Sequence, residues 1–246
     1  VAEAYGTLAE VYEFLVPEAL LEPGDSAAAF APVVDGLPPG ARVLDCACGI
    51  GALAVGLAQR GFAVAASDAS TPMVERTRAL AAAHGVALEA EVRRWEDLEG
   101  PAVFDAVFCV GNSLTHARER RAALAGMARV LRPGGLLALT SRNWELLREQ
   151  RPEPHIDDQL TERGGRRALV GYSWTLPDDW DDHHYLDIAV VEPAGEGHSR
   201  RHAERLEFCP FRHETLDEDL RACGLTPATS TWAPDVERYL VTARRD

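Results

Sequence analysis

The chain has 246 residues, with 39 acidic against 25 basic side chains and a formal net charge of −14. Nucleic acid and anionic membranes both require positive surface, so this balance opposes either as a partner. No segment carries the ~18 uninterrupted apolar residues of a spanning helix, and no charged-then-apolar leader is visible, so a cytoplasmic protein is expected. The five cysteines are odd in number and form no C-x-x-C, which predicts free thiols in a reducing compartment and no zinc site.

The length accommodates one α/β domain with insertions. In chain order, residues 2–15 read as an amphipathic helix carrying Tyr5, Leu8, Val11, Tyr12 and Leu15. A second helical piece is expected over 25–36. Strands at 42–46, 62–67, 86–93, 104–110 and 136–141 alternate with helices at 51–60, 72–84 and 117–131. The last helix is ended by Pro133-Gly134-Gly135. Alternation of this kind predicts a parallel sheet with helices on both faces. After residue 150 the pattern changes. Strand-like runs near 166–176, 184–192 and 201–208, separated by Pro-rich turns, predict a three-stranded antiparallel insert. A helix at 214–223 ends at Gly224, and strands near 225–232 and 237–243 close the chain as a hairpin of the main sheet. The expected fold class is α/β, a doubly wound, mostly parallel seven-stranded sheet with an antiparallel β insert. It divides into 1–150 (N-terminal helical cap and ligand-binding core), 151–212 (insert or lid) and 213–246 (final helix and hairpin).

The most informative stretch is Asp45-Cys46-Ala47-Cys48-Gly49-Ile50-Gly51, between a buried strand and a helix start. Its glycines let backbone approach a ligand without an intervening Cβ, and helix-start amides add donors. The spacing D-x-x-x-G-x-G is not the dinucleotide pattern G-x-G-x-x-G. A carboxylate at the strand end would repel a pyrophosphate, which disfavours an NAD-binding oxidoreductase, and it suits an ammonium or sulfonium ligand. The alternative is a plain Gly turn. Asp68 ends the second strand, 17 residues beyond Gly51, where an acid typically binds ribose hydroxyls. Its alternative is a turn or capping residue.

These segments, with Phe104-Asp105-Ala106-Val107-Phe108 and Leu131-Arg132-Pro133-Gly134-Gly135-Leu136-Leu137, resemble the class I S-adenosylmethionine (SAM)-dependent methyltransferases over about residues 40–145. Val110-Gly111-Asn112-Ser113-Leu114-Thr115-His116 and Ser141-Arg142-Asn143-Trp144-Glu145 resemble the glycine and sarcosine N-methyltransferase branch. The resemblance implies a Rossmann-like SAM-binding core. It implies cofactor contacts from Asp45, Ala47, Gly49, Gly51, Asp68, Ala69, Met73 and Val110. Arg94 and Trp95 would flank the adenine, and Tyr5 and Tyr12 would close the pocket. It also implies an acceptor side made by Asn112, Arg142 and Trp144, with Asn112 and His116 aligning the reactants and Arg142 gripping a carboxylate.

Methyl transfer to a small-molecule amine is the implied function. The acceptor would be an amino acid such as glycine or sarcosine, or a natural-product intermediate. O-methylation of a small metabolite and non-catalytic SAM binding are the alternatives. Trp144 stands where a Tyr is usual, and the segment after residue 150 lacks a clear tyrosine pair. Arg142 could instead pair with Glu145, and His116 could simply begin a helix. The run Asp178-Asp179-Trp180-Asp181-Asp182-His183-His184-Tyr185 has the composition of a metal site but the placement of a solvated turn, so no metal is expected. An acidic lip attracting a cationic amine is its other reading. The insert is a candidate surface for a homo-oligomer.

Overall fold

The computed structural model describes residues 5–195 and 197–246. Its helices are α1 (Pro23–Ala28), α2 (Ala31–Val34), α3 (Ala52–Gln59), α4 (Thr71–Ala83), α5 (Arg120–Val130), α6 (Trp144–Gln150) and α7 (His213–Ala222). Its strands are β1 (Arg42–Asp45), β2 (Ala63–Asp68), β3 (Glu89–Val92), β4 (Phe104–Cys109), β5 (Leu131–Arg142), β6 (His155–Ile156), β7 (Thr161–Arg163), β8 (Arg166–Thr175), β9 (His184–Pro193), β10 (Ser199–Phe208), β11 (Leu225–Ser230) and β12 (Arg238–Arg245).

The main sheet has seven strands in the order β11-β12-β5-β4-β1-β2-β3. Pairings among β1 to β5 are parallel, and β12 runs antiparallel to both β5 and β11. The order reverses between β1 and β4, which is where open α/β sheets bind ligands. Successive residues of a strand face opposite sides. Val107 and Cys109 accordingly join Leu124, Met127, Leu216 and Leu220 of α5 and α7, while Ala106 and Phe108 join Ala27, Val33, Leu53 and Leu57 of α1 to α3. Both faces are covered, as a parallel sheet requires. The expected doubly wound, mostly parallel seven-stranded sheet is the fold observed.

The second sheet has five strands rather than three. β10, β9 and β8 match the expected runs, and the short β6 and β7 both pair with β8. Two- and three-residue strands carry too little alternation to be read from sequence. The inner face of this sheet, with Val190 and Leu206, packs on Leu8, Val11 and Phe14 of the N-terminal segment and on Trp144 and Leu147 of α6.

Several expected elements change form. The helix expected at 2–15 is a 3-10 helix at Ala9–Phe14 with a non-helical Val11 (φ −124°, ψ 16°); its residues 2–4 lie outside the described residues. Tertiary contacts of Leu8, Val11 and Phe14 override helical periodicity there. The helix expected at 25–36 is split into α1 and α2 at Phe30, two residues before Pro32, which sits in the first turn of α2. The third strand is limited to Glu89–Val92. The helix expected from 117 starts at Arg120, after a 3-10 turn at Ser113–His116. β5 begins directly from α5 at Leu131, and a register shift against β4 absorbs Pro133-Gly134-Gly135. Sequence reading missed α6, whose N-cap Asn143 accepts the Leu146 amide at 3.1 Å.

Candidate functional site at the carboxyl ends of the main sheet

β1 delivers Asp45 to the switch point with only 1% of its surface exposed. Burial pushes its carboxyl up to about 7; the Ala47 amide, 3.4 Å from Oδ1, opposes this and the charge of Asp68 adds to it. The following loop turns through Gly49 (φ +53°) and Gly51 (φ +89°), a region L side chains rarely occupy. A Cβ on Gly51 would lie 2.9 Å from the Thr77 backbone, whereas a Cβ on Gly49 would meet nothing within 4 Å. Gly51 therefore serves packing against α4, and Gly49 faces open space. Thr77 Oγ1 donates to the Gly49 carbonyl at 2.8 Å and fixes the loop.

Asp68, at the end of β2, accepts the Gly49 amide on Oδ2 and the Ser70 amide on Oδ1, each at 2.9 Å. It thus holds the glycine loop as well as its own turn. Burial raises its carboxyl above the ordinary value, against those backbone bonds. The Ser67 and Ser70 hydroxyls beside it are buried without a hydrogen-bond partner among the described residues. Ala69 is exposed between them, and Met73 is buried in α4. The Trp95 indole donates to the Cys46 carbonyl at 2.7 Å, latching the segment after β3 onto the loop after β1. A Cβ on Gly126 of α5 would sit 1.9 Å from the Trp95 carbonyl, so only glycine permits this approach. Arg94 is exposed next to it.

The residues expected on the acceptor side lie on the turn after β4 and at the end of β5. The carbonyl of Val110 accepts Ser113 Oγ at 2.6 Å, and Asn112 takes a left-handed backbone (φ +68°) that asparagine tolerates. Asn112 Oδ1 accepts the Arg142 amide at 2.9 Å, so only its Nδ2 is left to face a ligand. The Arg142 guanidinium lies 5.4 Å from the centre of the Trp174 ring and makes no side-chain hydrogen bond or ion pair among the described residues. Glu145, its alternative partner, receives the His213 amide at 3.3 Å instead. Burial, then the neighbouring charge of Arg238, lowers the Arg142 guanidinium from its ordinary value. Arg238 is the direct cross-strand neighbour of Arg142. Sequence reading missed it, because only the β5–β12 pairing brings it there.

His116 Nδ1 lies 2.9 Å from the Glu207 carbonyl, which can only accept, so Nδ1 carries the proton and Nε2 the open lone pair. Burial lowers the His116 value, keeping the ring neutral. Tyr5 packs edge-on against both His116 and Tyr12 with ring centres 5.6 Å apart. Burial, then the charge of Asp68, raises Tyr12 to about 12, and burial likewise raises Tyr5. The N-terminal cap therefore reaches both the Asp68 side and the His116 side. It is held there by Glu204, which takes the Tyr5 amide at 2.7 Å, and by Glu13, bound to Arg76 of α4 at 3.1 Å and Arg166 of β8 at 2.6 Å. Trp144 is placed differently from the expected acceptor contact. It is fully buried and packs against Trp174, His184 and Phe208, so it stands behind Trp174 with no surface open to a ligand.

In the acidic run, Asp178 pairs with Arg151, and His184 is fully buried with its Nε2 2.6 Å from Arg148. Among the described residues no cluster of three His, Cys, Asp or Glu side chains could hold a metal, and no helix is long and apolar enough to cross a membrane.

Residues 43–135 match the family model described as a methyltransferase domain. The chain is 40% identical over 118 residues to a glycine/sarcosine N-methyltransferase of Parasynechococcus marenigrum, covering 45% of this chain and 41% of that one. It is 38% identical over 107 residues to a ubiquinone biosynthesis O-methyltransferase of Xanthomonas campestris, covering 43% and 44%. The chain thus spans less than half the length of these relatives. A solved SAM-dependent methyltransferase from Clostridium acetobutylicum superposes over 98% of both chains with a TM-score of 0.77 at 16% identity. The cofactor of such enzymes is SAM. The open face of Gly49, the buried Asp45 carboxylate and the unpartnered Ser67 and Ser70 hydroxyls fit a ligand with a cationic end and a ribose. Residues 43–135 thus match a methyltransferase domain, the chain has the fold of a solved SAM-dependent methyltransferase, and part of it resembles a glycine/sarcosine N-methyltransferase.

Proposed function

We propose that this protein methylates a small-molecule amine bearing a carboxylate, an amino acid or an N-substituted derivative. When bound, SAM supplies a methyl group already activated by its sulfonium. The protein contributes alignment, exclusion of water and electrostatics. Asp45 and the glycine loop receive the amino-acid end of the donor, and Asp68 receives the ribose. Trp95, Arg94 and Ala69 border the adenine side, while Met73 supports the loop from behind. Tyr5 and Tyr12 close the pocket from above. Asn112 Nδ2 and the neutral His116 Nε2 orient the acceptor amine, which must arrive with its lone pair free.

The observation that carries this reading is Arg142, a half-buried guanidinium stacked on Trp174 with no carboxylate bonded to it among the described residues. A guanidinium grips a carboxylate through two parallel hydrogen bonds. Arg142→Lys retains the charge and loses the planar fork. Catalytic efficiency toward carboxylate acceptors should fall roughly 10-fold or more, the cost of a charge-assisted hydrogen bond, while SAM affinity stays near wild type. Acceptor saturation kinetics with amino acids and their amides make the test. A preference for amides, or an indifferent Arg142→Lys enzyme, would sink the carboxylate reading. Methyl transfer from labelled SAM to amines and phenols separates N- from O-methylation.

Asp45 gives a second expected result. Its folded value is raised to about 7 from an unfolded value near ~4. The stability it contributes to the ligand-free protein is therefore full below ~4 and lost as pH rises through about 7. The ligand's ammonium selects the ionised carboxylate, so SAM affinity should move the other way. It should increase roughly 20-fold between pH ~5.5 and ~7.5, and fade as the α-amino group loses its proton near ~8. Asp45→Asn should flatten that acid limb. Calorimetric titration across this range checks it, and equal wild-type affinities at the two pH values would remove Asp45 from the ammonium.

A further inference from the structure

A cleft of about 240 Å³ opens where β10 meets α7, lined by Arg118, Arg120, His183 and Arg212 against Trp180 and Phe211. Its volume is below the ~300–1,000 Å³ of pockets for whole drug-sized ligands, so it suits a chemical group rather than a complete metabolite. Three arginines and His183 line it against one aspartate, in a chain that is strongly acidic overall. Arg118 lies 2.8 Å from Glu207, whose same oxygen is 3.0 Å from His183. Arg120 and Arg121 share Asp219, each at 2.6 Å. Asp181 is the carboxylate among the residues that line the cleft itself. Each bonded acid thus serves two cationic or titratable partners.

Arg212 has no carboxylate within ion-pair distance among the described residues. Its guanidinium stands 4.7 Å from the Trp180 ring centre, and Arg148 stands 4.3 Å from that same ring. Stacking fixes the plane of a guanidinium and leaves its edge donors free for an oxyanion. Arg120 is fixed similarly, 4.9 Å from the Phe211 ring. The Thr215 hydroxyl, in the first turn of α7, adds a donor to the same wall.

We propose that this cleft binds a phosphate or diphosphate group. Several guanidiniums, a histidine and a hydroxyl converge on a space of group size, and multiple charged oxygens satisfy them better than one carboxylate does. The site is distinct from Arg142, which stacks on Trp174 rather than Trp180. It is nevertheless joined to the reaction side through one residue, since the backbone carbonyl of Glu207 holds His116 and its side chain holds Arg118.

The test is calorimetric titration of the full chain with pyrophosphate. Wild type should bind it, Arg212→Ala should weaken binding roughly 10-fold or more, and Arg212→Lys should fall between them. SAM affinity should be unchanged in both variants, which also reports that they fold; if Arg212→Ala fails to fold, Arg212→Lys carries the comparison. Arg142→Lys should bind pyrophosphate like wild type. Methyl transfer to amine acceptors in the presence of pyrophosphate identifies the source of the group. Competition against the acceptor assigns the phosphate to the acceptor itself, and an unchanged acceptor KM assigns it to a separate ligand. No binding to wild type, equal binding to the folded Arg212 variants, or loss of binding in Arg142→Lys would overturn the proposal.

Discussion

Gly49→Val is expected to abolish SAM binding while the protein remains folded. The position has φ +53°, and an added Cβ meets no protein atom within 4 Å. The side chain therefore enters ligand space rather than the core. Its local cost is the strain of a left-handed conformation, about 1–2 kcal/mol, which a β-branched residue bears poorly. Gly49→Ala should fold more readily and bind more weakly than wild type. Gly51→Ala is the contrasting control. Its Cβ would sit 2.9 Å from the Thr77 backbone, so it should lower the melting temperature before it tells anything about the ligand. Calorimetry with SAM, paired with circular dichroism, separates the two effects. A folded Gly49→Val protein binding within twofold of wild type would reduce the loop to a structural turn.

Asp68→Ala is expected to weaken SAM binding by roughly 10- to 150-fold, corresponding to about 1.5–3 kcal/mol for charge-assisted hydrogen bonds. The carboxylate has about four acceptor positions. The Gly49 and Ser70 amides occupy two of them and the Ala69 amide also acts on the carboxylate, so part of its capacity is left for ribose hydroxyls. Removing the side chain also unties the glycine loop from β2. Asp68→Asn keeps one oxygen acceptor and should lose less. The ordering wild type, Asn, Ala in measured affinity is the signature of this double role. Unchanged affinity in Asp68→Ala would take the residue out of the site.

The meeting of the glycine loop with Asp68 was legible because its determinants are local. Asp45, Gly49 and Gly51 lie within seven residues, and Asp68 ends the next strand, so spacing along the chain already places them together. The alternation of apolar strands and helices up to Leu139 had the same advantage. The surroundings of His116, Tyr5 and Arg142 depend on distant pairings. His116 is oriented by Glu207, Tyr5 by Glu204, and Arg238 reaches Arg142 only through the antiparallel β12. No local periodicity encodes those contacts. Trp144 shows the limit from the other direction. Its neighbours in sequence place it at a strand end beside the ligand rim, yet the β insert covers it completely with Trp174 and Phe208. The N-terminal segment had helical spacing, but its apolar residues are held by the insert in a 3-10 turn instead.

Glu13 gives the molecule a constraint on how its parts can move. One carboxylate in the cap is shared by Arg76 of the core and Arg166 of the insert. The matched methyltransferase domain ends at residue 135, so the cap and the insert both lie outside it. Arg166 also pairs with Glu192 inside the insert, so Glu13 is the carboxylate that ties the cap to both of its neighbours. Replacing Glu13 therefore loosens the cap from the core and from the insert at once, so one carboxylate sets how independently the three parts can move.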